Sequence, residues 1–267
     1  MTEPDVAALR AAYDRQLRTQ VPTRPPEGVE MSWDGPLLRT TGFGGRGWVE
    51  YRNLDGAEGA RLDALIHRQI EHFRGLGLRF EWKHHGHDEP ADLTERLRAG
   101  GFVPEPTETI MIGDLDSIDL GARPPEGVAI REVTERADLR RIAALEDAVW
   151  SEEGTLGWLD HLAAEREAEP DRLAIFVAEA GDLVVSAGWI RFPENTDFGT
   201  LWGGATLAPW RGRGIYRSLV AERGRLARVR GLRYLETDAS DDSRPILERL
   251  GFVPVTTTTP WIWSPGQ

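Results

Sequence analysis

The sequence predicts a mixed α/β protein built from two tandem copies of one domain plan. The segment "GLRYLE…LERLGFVPVTTTTPWIW" (Gly231–Trp263) repeats an earlier segment, "GLRFEW…TERLRAGGFVPEPTETIM" (Gly77–Met111). The chain has 267 residues, a length that suits two domains of ordinary size. Between the copies lies a stretch rich in Gly, Pro and Asp. We therefore expect a first domain over residues 1–116, a linker over 117–127 and a second domain over 128–267.

Alternation of apolar residues and helical spacing give the same order of elements in both copies. In the later helix we expect Leu219, Leu226 and Val229 to share one face, and Ser243 to cap a short helix that has Pro245 in its first turn. The second copy reads as strand 128–133, helices within 137–169, a hairpin turning at Gly181–Asp182, strand 198–208, helix 214–230, strand 232–238, the short helix and two final strands. The first copy reads as helix 5–17, strands 29–33, 37–41 and 47–51, helix 59–74, and then strand–helix–strand–strand.

The amino-acid composition argues against several classes of function. With 40% hydrophobic and 28% charged residues, and no apolar run long enough to cross a bilayer, the sequence predicts a globular protein without a membrane partner. The acidic, amphipathic start does not resemble a signal peptide. The absence of cysteine excludes disulfides, thiolate metal sites and thiol nucleophiles. A net charge of −12 argues against a nucleic-acid partner. We expect a cytoplasmic monomer or homodimer.

One segment of the second copy, "TLAPWRGRGIYRSL", has features of an anion-binding turn. A strand ends near Pro209, and Arg211-Gly212-Arg213-Gly214 leads directly into a helix. The first turn of a helix carries unpaired backbone N–H groups and partial positive charge, so it attracts phosphate. Glycines let the backbone approach a bulky anion, and arginines add permanent charge. Glycines also open helices for packing reasons alone, so the turn by itself leaves both interpretations open.

The spacing Arg211-x-x-Gly214, two residues after Leu207-x-Pro209, resembles the GNAT superfamily of acyl-CoA-dependent N-acyltransferases. The family signature is Gln/Arg-x-x-Gly-x-Gly/Ala at the start of a long helix. The later block "LRYLETDASDDSRPILERLGF" also looks like the family's strand–helix block that closes on Gly-Phe. The resemblance covers the chain from Val128 onward and implies two tandem GNAT-like domains, with acetyl-CoA as cosubstrate and no metal.

The resemblance also implies the place of the cofactor. The pantetheine arm would enter a V-shaped gap between the fourth and fifth strands of the second copy, and a backbone N–H near Leu207 would bind the developing oxyanion. The implied cofactor-binding residues are Leu207, Arg211, Gly212, Arg213, Gly214, Ile215, Tyr216 and Ser240. Two positions depart from the family pattern. Tyr216 stands where Gly or Ala is preferred, and Leu247 stands where a tyrosine often protonates the leaving thiolate.

The places of several residues on the predicted strands and helices make them candidates for catalysis or for contact with the acceptor substrate. Glu236 and Asp238 occupy alternate positions of one strand, so they face one side and are candidates for the general base. Solvation at the strand end or an ion pair with an arginine is the structural alternative. Trp189 and Trp202 are candidates for lining an acceptor pocket, although such residues more often simply belong to the core. Further candidates, for the roof of the pocket or for attracting a cationic substrate, are Trp150, Trp158, Glu152 and Glu153.

In the first copy, the segment equivalent to the cofactor turn is "AEGARL" (57–62), where Glu58 replaces the arginine pair and Asp55 lies close by. Negative charge repels phosphate, so we expect this copy to be degenerate, with a structural or pocket-forming role. The cluster His84, His85, His87 and Asp88 has residue types that bind zinc. We expect instead a solvated polar loop, because the cluster coincides with an insertion relative to the second copy.

The sequence therefore predicts an acetyl-CoA-dependent N-acetyltransferase whose acceptor is a primary amine on a small molecule or peptide. A non-catalytic acyl-CoA-binding or regulatory protein is the alternative, because the expected tyrosine is missing. A nucleotide-binding enzyme is less well supported, since no Lys-Ser/Thr follows Gly214 and no Gly-x-Gly-x-x-Gly follows an early strand.

Overall fold

The computed structural model describes residues 5–43, 45–150 and 155–266, which form two compact units. The first unit comprises Met1–Ile110, Asp238–Asp241 and Val255–Gln267, and the second comprises Met111–Thr237 and Asp242–Pro254. Each unit combines a β-sheet with α-helices, which confirms the predicted mixed α/β class. The domain limits expected from the sequence stay a prediction. In the structure the first unit also contains the last strand of the chain.

The sheet of the first unit has the strand order β1-β2-β3-β4-β12, and β5 also pairs with β12. Only the β3–β4 pair is parallel among the pairs within this unit whose register is known. Aromatic rings fill the core, with Phe73 stacked on Phe80 at a centroid distance of 4.2 Å, and Trp82 and Trp261 buried beside them. The elements are α1 Val6–Gln16, β1 Glu30–Asp34, β2 Leu37–Phe43, β3 Arg46–Tyr51, α2 Gly59–Leu76, β4 Arg79–His85, α3 Leu93–Ala99, β5 Val103–Pro104 and most of β12 Val253–Trp263.

The sheet of the second unit has the strand order β6-β11-β10-β9-β8-β7. The β10–β11 pair is parallel, and the β9–β10, β8–β9 and β7–β8 pairs are antiparallel. The hairpin β8–β9 turns at Gly181, which has a φ of +59°, as predicted. The elements that lie mainly in this unit are β6 Glu108–Asp114, β7 Ala129–Glu132, α4 Ala137–Trp150, α5 Thr155–Ala168, β8 Leu173–Ala180, β9 Leu183–Arg191, β10 Phe198–Thr206, a 3₁₀ turn Ala208–Trp210, α6 Ile215–Val229, β11 Tyr234–Ala239 and α7 Arg244–Leu250.

The repeated ending of the two copies forms the same helix stop in each unit. Gly101 follows α3 with a φ of +88°, and Gly251 follows α7 with a φ of +95°. In each case the next residue is a buried phenylalanine whose N–H donates to a leucine carbonyl five residues earlier, at 3.1 Å in both units. A left-handed residue that ends a helix strongly favours glycine. The shared sequence therefore encodes a helix cap and the strand that follows it.

Three local expectations were wrong. The two final strands of the second copy are one strand, β12, because Pro260 keeps its place in the ladder opposite Lys83. Val229 is 84% exposed, since the buried face of α6 runs through Ile215, Leu219 and Ala227 instead. Ser243 precedes α7 but makes no capping hydrogen bond with its side chain.

Candidate functional site

Strands β10 and β11 pair over only three residues and then separate. The parallel register runs from Phe198 opposite Tyr234 to Thr200 opposite Glu236, although β10 continues to Thr206 and stays paired with β9. At the point of separation, the hydroxyl of Thr237 donates to the carbonyl of Leu201 at 3.1 Å. A hydrogen bond from a side chain therefore takes the place of the backbone hydrogen bonds between β10 and β11. The backbone pairing of the two strands therefore ends where the V-shaped gap is expected, and this place, around Thr200, Leu201, Glu236 and Thr237, is called the notch below.

One wall of the notch is bent by a bulge. The register of β10 against β9 shifts between Gly203 and Ala205, and Gly203 and Gly204 have φ angles of +70° and +101°. A Cβ at Gly203 would lie 2.4 Å from the ring of Trp189, and one at Gly204 would lie 2.9 Å from the ring of Tyr216. Both positions therefore require glycine. Because a bulge leaves the ladder locally unpaired, it presents backbone polar groups to a ligand.

A buried arginine supports this bulge from the helix side. Arg223 on α6 is 1% exposed, and its Nη1 donates to the carbonyls of Trp189 and Trp202, at 3.0 and 3.1 Å. Its Nε donates to the carbonyl of Leu219 at 3.1 Å. No carboxylate pairs with it among the described residues, and burial lowers its pKa to about 10. Gly188 makes room for it, since a Cβ there would lie 2.9 Å from Nη1.

After β10 the chain forms the turn predicted to bind pyrophosphate. Gly212 and Gly214 have φ angles of +73° and +81°, and Gly214 precedes the first residue of α6 without a capping side chain. Arg211 and Arg213 are exposed, and the guanidinium of Arg213 lies over the ring of Trp210 at 4.8 Å. The N-terminus of a 15-residue helix and two exposed cations thus lie together at the end of the notch strand.

The other predicted cofactor-binding residues differ in how accessible they are. The N–H of Leu207 donates to the carbonyl of Val185 at 3.0 Å, so it already has a partner and is not available to an oxyanion. Ile215 is buried in the core, and Tyr216 is partly buried. Ser240 is exposed just after β11.

The two carboxylates predicted as bases lie in different surroundings. Glu236 is 6% exposed and stands opposite Thr200, where the pairing of β10 and β11 ends. Asp238 belongs to the first unit, where its carboxylate lies 2.8 Å from the Nζ of Lys83. Burial favours the neutral form of Lys83, but Asp238 outweighs it and holds the pKa of Lys83 well above its ordinary value. An ion pair, one of the two alternatives for these residues, is therefore present at Asp238.

The two tryptophans predicted to contact substrate are also unlike each other. Trp189 is 6% exposed and belongs to the core of the second unit. Trp202 is 48% exposed, and its indole N–H donates to the hydroxyl of Thr200 at 2.8 Å. The guanidinium of Arg191, fixed by a bidentate pair with Glu165, lies 5.2 Å from the Trp202 ring. Trp202 therefore presents a fixed aromatic surface just before the bulge.

The candidates for the acceptor roof are only partly described. Trp150 ends α4, is 62% exposed and donates to Glu146, whose burial raises the pKa of its carboxyl group. Glu152 and Glu153 lie outside the described residues, and so does the side chain of Trp158.

The equivalent turn of the first unit lacks the features of the second. Helix α2 begins at Gly59, as the sequence predicts, and Glu58 precedes it without capping it. Asp55 has a φ of +50°, and its N–H donates to the side chain of Asn53 at 2.9 Å. Acidic side chains thus occupy the approach to this helix start. That the first copy does not hold the pyrophosphate stays a prediction.

The histidine cluster of the first unit is a buried network, so the expectation of a solvated loop was wrong. The Nε2 of His85 lies 3.0 Å from the hydroxyl of Tyr13, and burial lowers the pKa of His85 to about 4. Asp88 pairs with Arg18 at 2.8 Å and accepts a hydrogen bond from the hydroxyl of Tyr51 at 2.6 Å. These contacts join α1 to the sheet, while the Nδ1 of His85 and the Nη2 of Arg18 are buried without a hydrogen-bond partner.

His87 completes the network from its edge. Its Nε2 lies 3.0 Å from Asp14, and its Nδ1 lies 2.7 Å from the hydroxyl of Thr256.

Across residues 5–43, 45–150 and 155–266, no three His, Asp or Glu side chains are grouped as a metal ion requires. In the same ranges, no helix has the length and apolar character needed to cross a membrane.

Comparison with solved structures identifies the fold. No family model and no curated protein matches the sequence. Among solved structures, the chain is similar to a GCN5-related N-acetyltransferase from Kribbella flavida, with a TM-score of 0.66 and 15% identity over 98% of this chain and 95% of that one. A tandem GNAT protein from the clavulanic acid biosynthesis pathway matches with a TM-score of 0.67 and 15% identity, over 91% of this chain and 85% of that one.

The fold is that of a tandem GNAT protein. A third similar structure, a GCN5-related N-acetyltransferase from Sphaerobacter thermophilus, has a TM-score of 0.62 and 18% identity, over 90% of this chain and 77% of that one. These matches cover nearly the whole chain and include a tandem protein. They confirm the tandem GNAT-like fold predicted from the repeat and the Arg-x-x-Gly turn.

Proposed function

We propose that the chain is an N-acetyltransferase that transfers the acetyl group of acetyl-CoA to a primary amine on a small molecule or peptide. The observation that carries this proposal is the pairing of β10 and β11, which ends at Thr200 and Glu236 and opens a notch leading to the uncapped start of α6. A backbone-lined notch beside a helix N-terminus suits a ligand with an amide-containing arm and a pyrophosphate.

The turn from Arg211 to Gly214 would hold the pyrophosphate. In α6 the first backbone N–H groups have no side-chain cap, and a helix N-terminus stabilises negative charge by about 0.3–1 kcal/mol even at an exposed site. Arg211 and Arg213 add two permanent charges. Because Arg211 also donates to the carbonyl of Thr206 at 3.0 Å, its charge is held at the end of the notch strand.

The bulge at Gly203 and Gly204 would bind the thioester carbonyl, in place of the N–H of Leu207, which is already paired. Backbone donors fixed by surrounding structure stabilise a developing oxyanion without reorganisation. Trp202 offers a surface on which an amine-bearing acceptor would pack. Glu236, which stands opposite Thr200 where the pairing of β10 and β11 ends, is the candidate base at the apex of the notch.

Acetyl-CoA binding measured by titration calorimetry tests the proposal. We expect one site per chain. Gly214→Asp should weaken binding about tenfold or more, because two like charges about 5 Å apart near a protein surface repel by about 1–3 kcal/mol. Gly214→Ala is the matched control, since it has the same unfavourable φ without the charge. Gly59→Asp places the same charge at the corresponding helix start of the first unit and should leave binding unchanged.

Each outcome has a clear meaning. Loss of binding in Gly214→Asp alone supports a cofactor site on the second unit. A stoichiometry of two, reduced to one by Gly59→Asp, would contradict the degeneracy of the first unit. No binding by the wild-type chain at high concentrations of acetyl-CoA would refute the acyltransferase proposal.

A non-catalytic acyl-CoA-binding protein is the second candidate, and Leu247 favours it. This residue is fully buried, so α7 presents an alkyl group where a tyrosine often acts in the family. A panel of primary amines, with detection of free CoA, separates the two candidates. The enzyme releases CoA with at least one acceptor class, whereas the binding protein holds acetyl-CoA and releases none.

A further inference from the structure

Helix α4 carries a carboxyl group at a position where an apolar side chain is expected. The buried face of the helix runs through Leu139, Ile142, Leu145 and Glu146. Glu146 lies about one helical turn after Ile142, which is fully buried, and is itself only 6% exposed. A glutamate is rarely buried in this way unless other groups satisfy its carboxyl oxygens. The partners of Glu146 therefore decide what this group does in the fold.

The carboxyl group of Glu146 has a partner for only one of its oxygens. The indole N–H of Trp150, at the end of the same helix, is hydrogen-bonded to it, but its Oε1 is buried and has no hydrogen-bond partner among the described residues. Burial raises the pKa of Glu146, the hydrogen bond from Trp150 opposes this, and the negative charge of Asp147 adds to it. A buried carboxyl group with an unused oxygen and a raised pKa is typical of functional sites.

Glu146 lies on the part of α4 that packs beside the bulge of β10. Leu145, which precedes it, belongs to one core with Trp189 of β9 and Ala205 of β10, and Val149 packs against the same core. The bulge in β10 ends at Ala205. The unused oxygen is therefore on the helix that covers the bulged strand.

The same side of the sheet carries the candidate residues for the acceptor. Trp189 stands opposite Trp202, and Arg191 stands opposite Thr200, which in turn stands opposite Glu236. Residues that are opposite each other in neighbouring strands, or two apart in one strand, face the same way. Trp202 and Glu236 are therefore on the side that α4 covers.

The charged groups of the elements packed against α4 leave Glu146 without a cation. Arg191 of β9 forms a bidentate pair with Glu165 of α5, and β10 has no charged residue. The other charged or titratable side chains of α5 whose surroundings are described are exposed or partly exposed: Asp160, His161, Arg166 and Glu167. In the described part of the chain, no arginine, lysine or histidine shifts the pKa of Glu146.

We propose that Glu146 binds the ammonium group of the acceptor and takes its first proton. This inference rests on the proposed function and concerns the acceptor side of that reaction. A protonated primary amine brings three N–H donors, so it can replace the indole of Trp150 and also donate to Oε1. Trp150 is 62% exposed, so its side chain can turn away without disturbing the core.

The acceptor has two protons to lose, and this side of the sheet has a carboxyl group for each. Glu146 takes the first proton from the ammonium group, which leaves a neutral amine. Its nitrogen forms a bond to the acetyl carbon, the carbon–sulfur bond breaks, and the electron pair of that bond stays on sulfur. The nitrogen then gives its second proton to Glu236 or to water, and the thiolate takes a proton from water. Glu146 returns its proton to the solvent when the product leaves.

Burial helps the first of these proton transfers. A low-dielectric environment disfavours charged groups, so it lowers the pKa of an ammonium group and raises the pKa of a carboxyl group. Both effects make it easier for the proton to pass from the amine to Glu146. An exposed carboxylate would remain ionised and would bind the ammonium group without removing its proton.

The pH dependence of acetyl transfer tests this inference. The probes are phenethylamine, spermidine, glucosamine and a blocked lysine peptide, with detection of free CoA. The variant is Glu146→Gln, which keeps an oxygen for Trp150. We expect kcat/KM for the amine to fall about a hundredfold or more, as the loss of a general base implies, while the calorimetric affinity for acetyl-CoA stays unchanged. In the wild type, kcat/KM should fall as the pH drops through the raised pKa of Glu146, and this acid limb should be absent in Glu146→Gln.

Two further variants should move the acid limb in opposite directions. Trp150→Phe removes the hydrogen bond that lowers the pKa of Glu146, so the limb should shift to higher pH by about half a unit or more, as one net hydrogen bond implies. Asp147→Asn removes the charge that raises this pKa, so the limb should shift slightly to lower pH, with activity above the limb close to that of the wild type. A purely structural role of Glu146 would produce neither shift.

The other outcomes separate this inference from the proposal beneath it. Equal kcat/KM in the wild type and in Glu146→Gln, or an acid limb that survives the substitution, would overturn the role of Glu146 and leave the acetyltransferase intact. Loss of acetyl-CoA binding in Glu146→Gln would also overturn it, by showing that the residue supports the cofactor site. If the wild type releases no CoA with any of the amines, the acetyltransferase proposal is refuted, and this inference with it.

Discussion

His85 makes the stability of the first unit depend on pH, and the dependence has a definite sign. His85 is 3% exposed, its ring is hydrogen-bonded to the hydroxyl of Tyr13, and burial lowers its pKa from an ordinary 6.5 to about 4. The folded protein therefore keeps His85 neutral at a pH where the unfolded chain binds a proton. Stability that is fully present above pH 6.5 is lost as the pH falls toward 4.

The magnitude follows from the two pKa values. Between pH 7 and pH 5, a group with pKa values of about 6.5 unfolded and about 4 folded lowers the free energy of unfolding by about 2 kcal/mol. This window lies above the range in which Asp88 titrates. Burial raises the pKa of Asp88, but the hydrogen bond with His85, the charge of Arg18 and the hydrogen bond from Tyr51 outweigh burial and hold that pKa below its usual value. The loss between pH 7 and 5 is therefore attributable to His85 once other titrations are subtracted.

Urea unfolding at pH 7 and pH 5, on the wild type and on His85→Gln, makes that subtraction. Gln retains a polar group for Tyr13 but does not titrate, so groups such as His84 and Glu50 contribute equally to both proteins. We expect the wild type to lose about 2 kcal/mol more than the variant between the two pH values. Equal losses would show that His85 is solvated in the folded state and would refute the buried network.

Three further substitutions test the contacts of the bulge in β10 and of the histidine network in the first unit. Arg223→Met should weaken acetyl-CoA binding severalfold, and an unchanged calorimetric affinity would contradict the support that Arg223 gives to the bulge. The free energy of unfolding should change by less than about 2 kcal/mol, because the variant loses the hydrogen bonds of Arg223 but no longer has the cost of burying its charge, about 3 kcal/mol. Gly204→Ala should destabilise by about 1–2 kcal/mol through its φ of +101° and its contact with Tyr216. Part of that loss should disappear in the double variant Gly204→Ala, Tyr216→Ala. If the losses in the free energy of unfolding of the two single variants simply add in the double variant, measured by urea unfolding, the contact is excluded. Tyr51→Phe should cost about 1–3 kcal/mol by removing a donor from buried Asp88, and a urea midpoint equal to the wild type would argue against that bond.

Much of the fold was predictable from residues that act locally. Glycine at Gly181 and Gly251 marks a hairpin turn and a helix end because only glycine readily adopts those backbone conformations. The cofactor turn was found for the same reason, since Gly212 and Gly214 stand between a strand and a helix. Signals of this kind depend on neighbours in the chain and are readable without the structure.

The rest of the site depends on contacts between distant residues. Arg223 is one of several arginines in "AERGRLARVR", and nothing local marks it as the buried one. Its partners, the carbonyls of Trp189 and Trp202, lie on other strands. Asp238 looked like a free strand-end carboxylate because Lys83 is far away in the sequence. Gly203-Gly204 was a missed signal, since paired glycines inside a strand often mark a bulge.

The inclusion of Trp261 and Trp263 in the core of the first unit constrains the order in which the protein can fold. Strand β4 is made early, but its antiparallel partner β12 follows almost all of the second unit in the chain. During synthesis the first unit cannot complete its fold until β12 has been made. Until then one edge of β4 is unpaired, and Trp82 lacks part of its final packing. A chain cut within the expected linker would likewise leave that edge open. The two halves are therefore separate as repeats in the sequence, but the first half does not complete its fold without the last strand of the second.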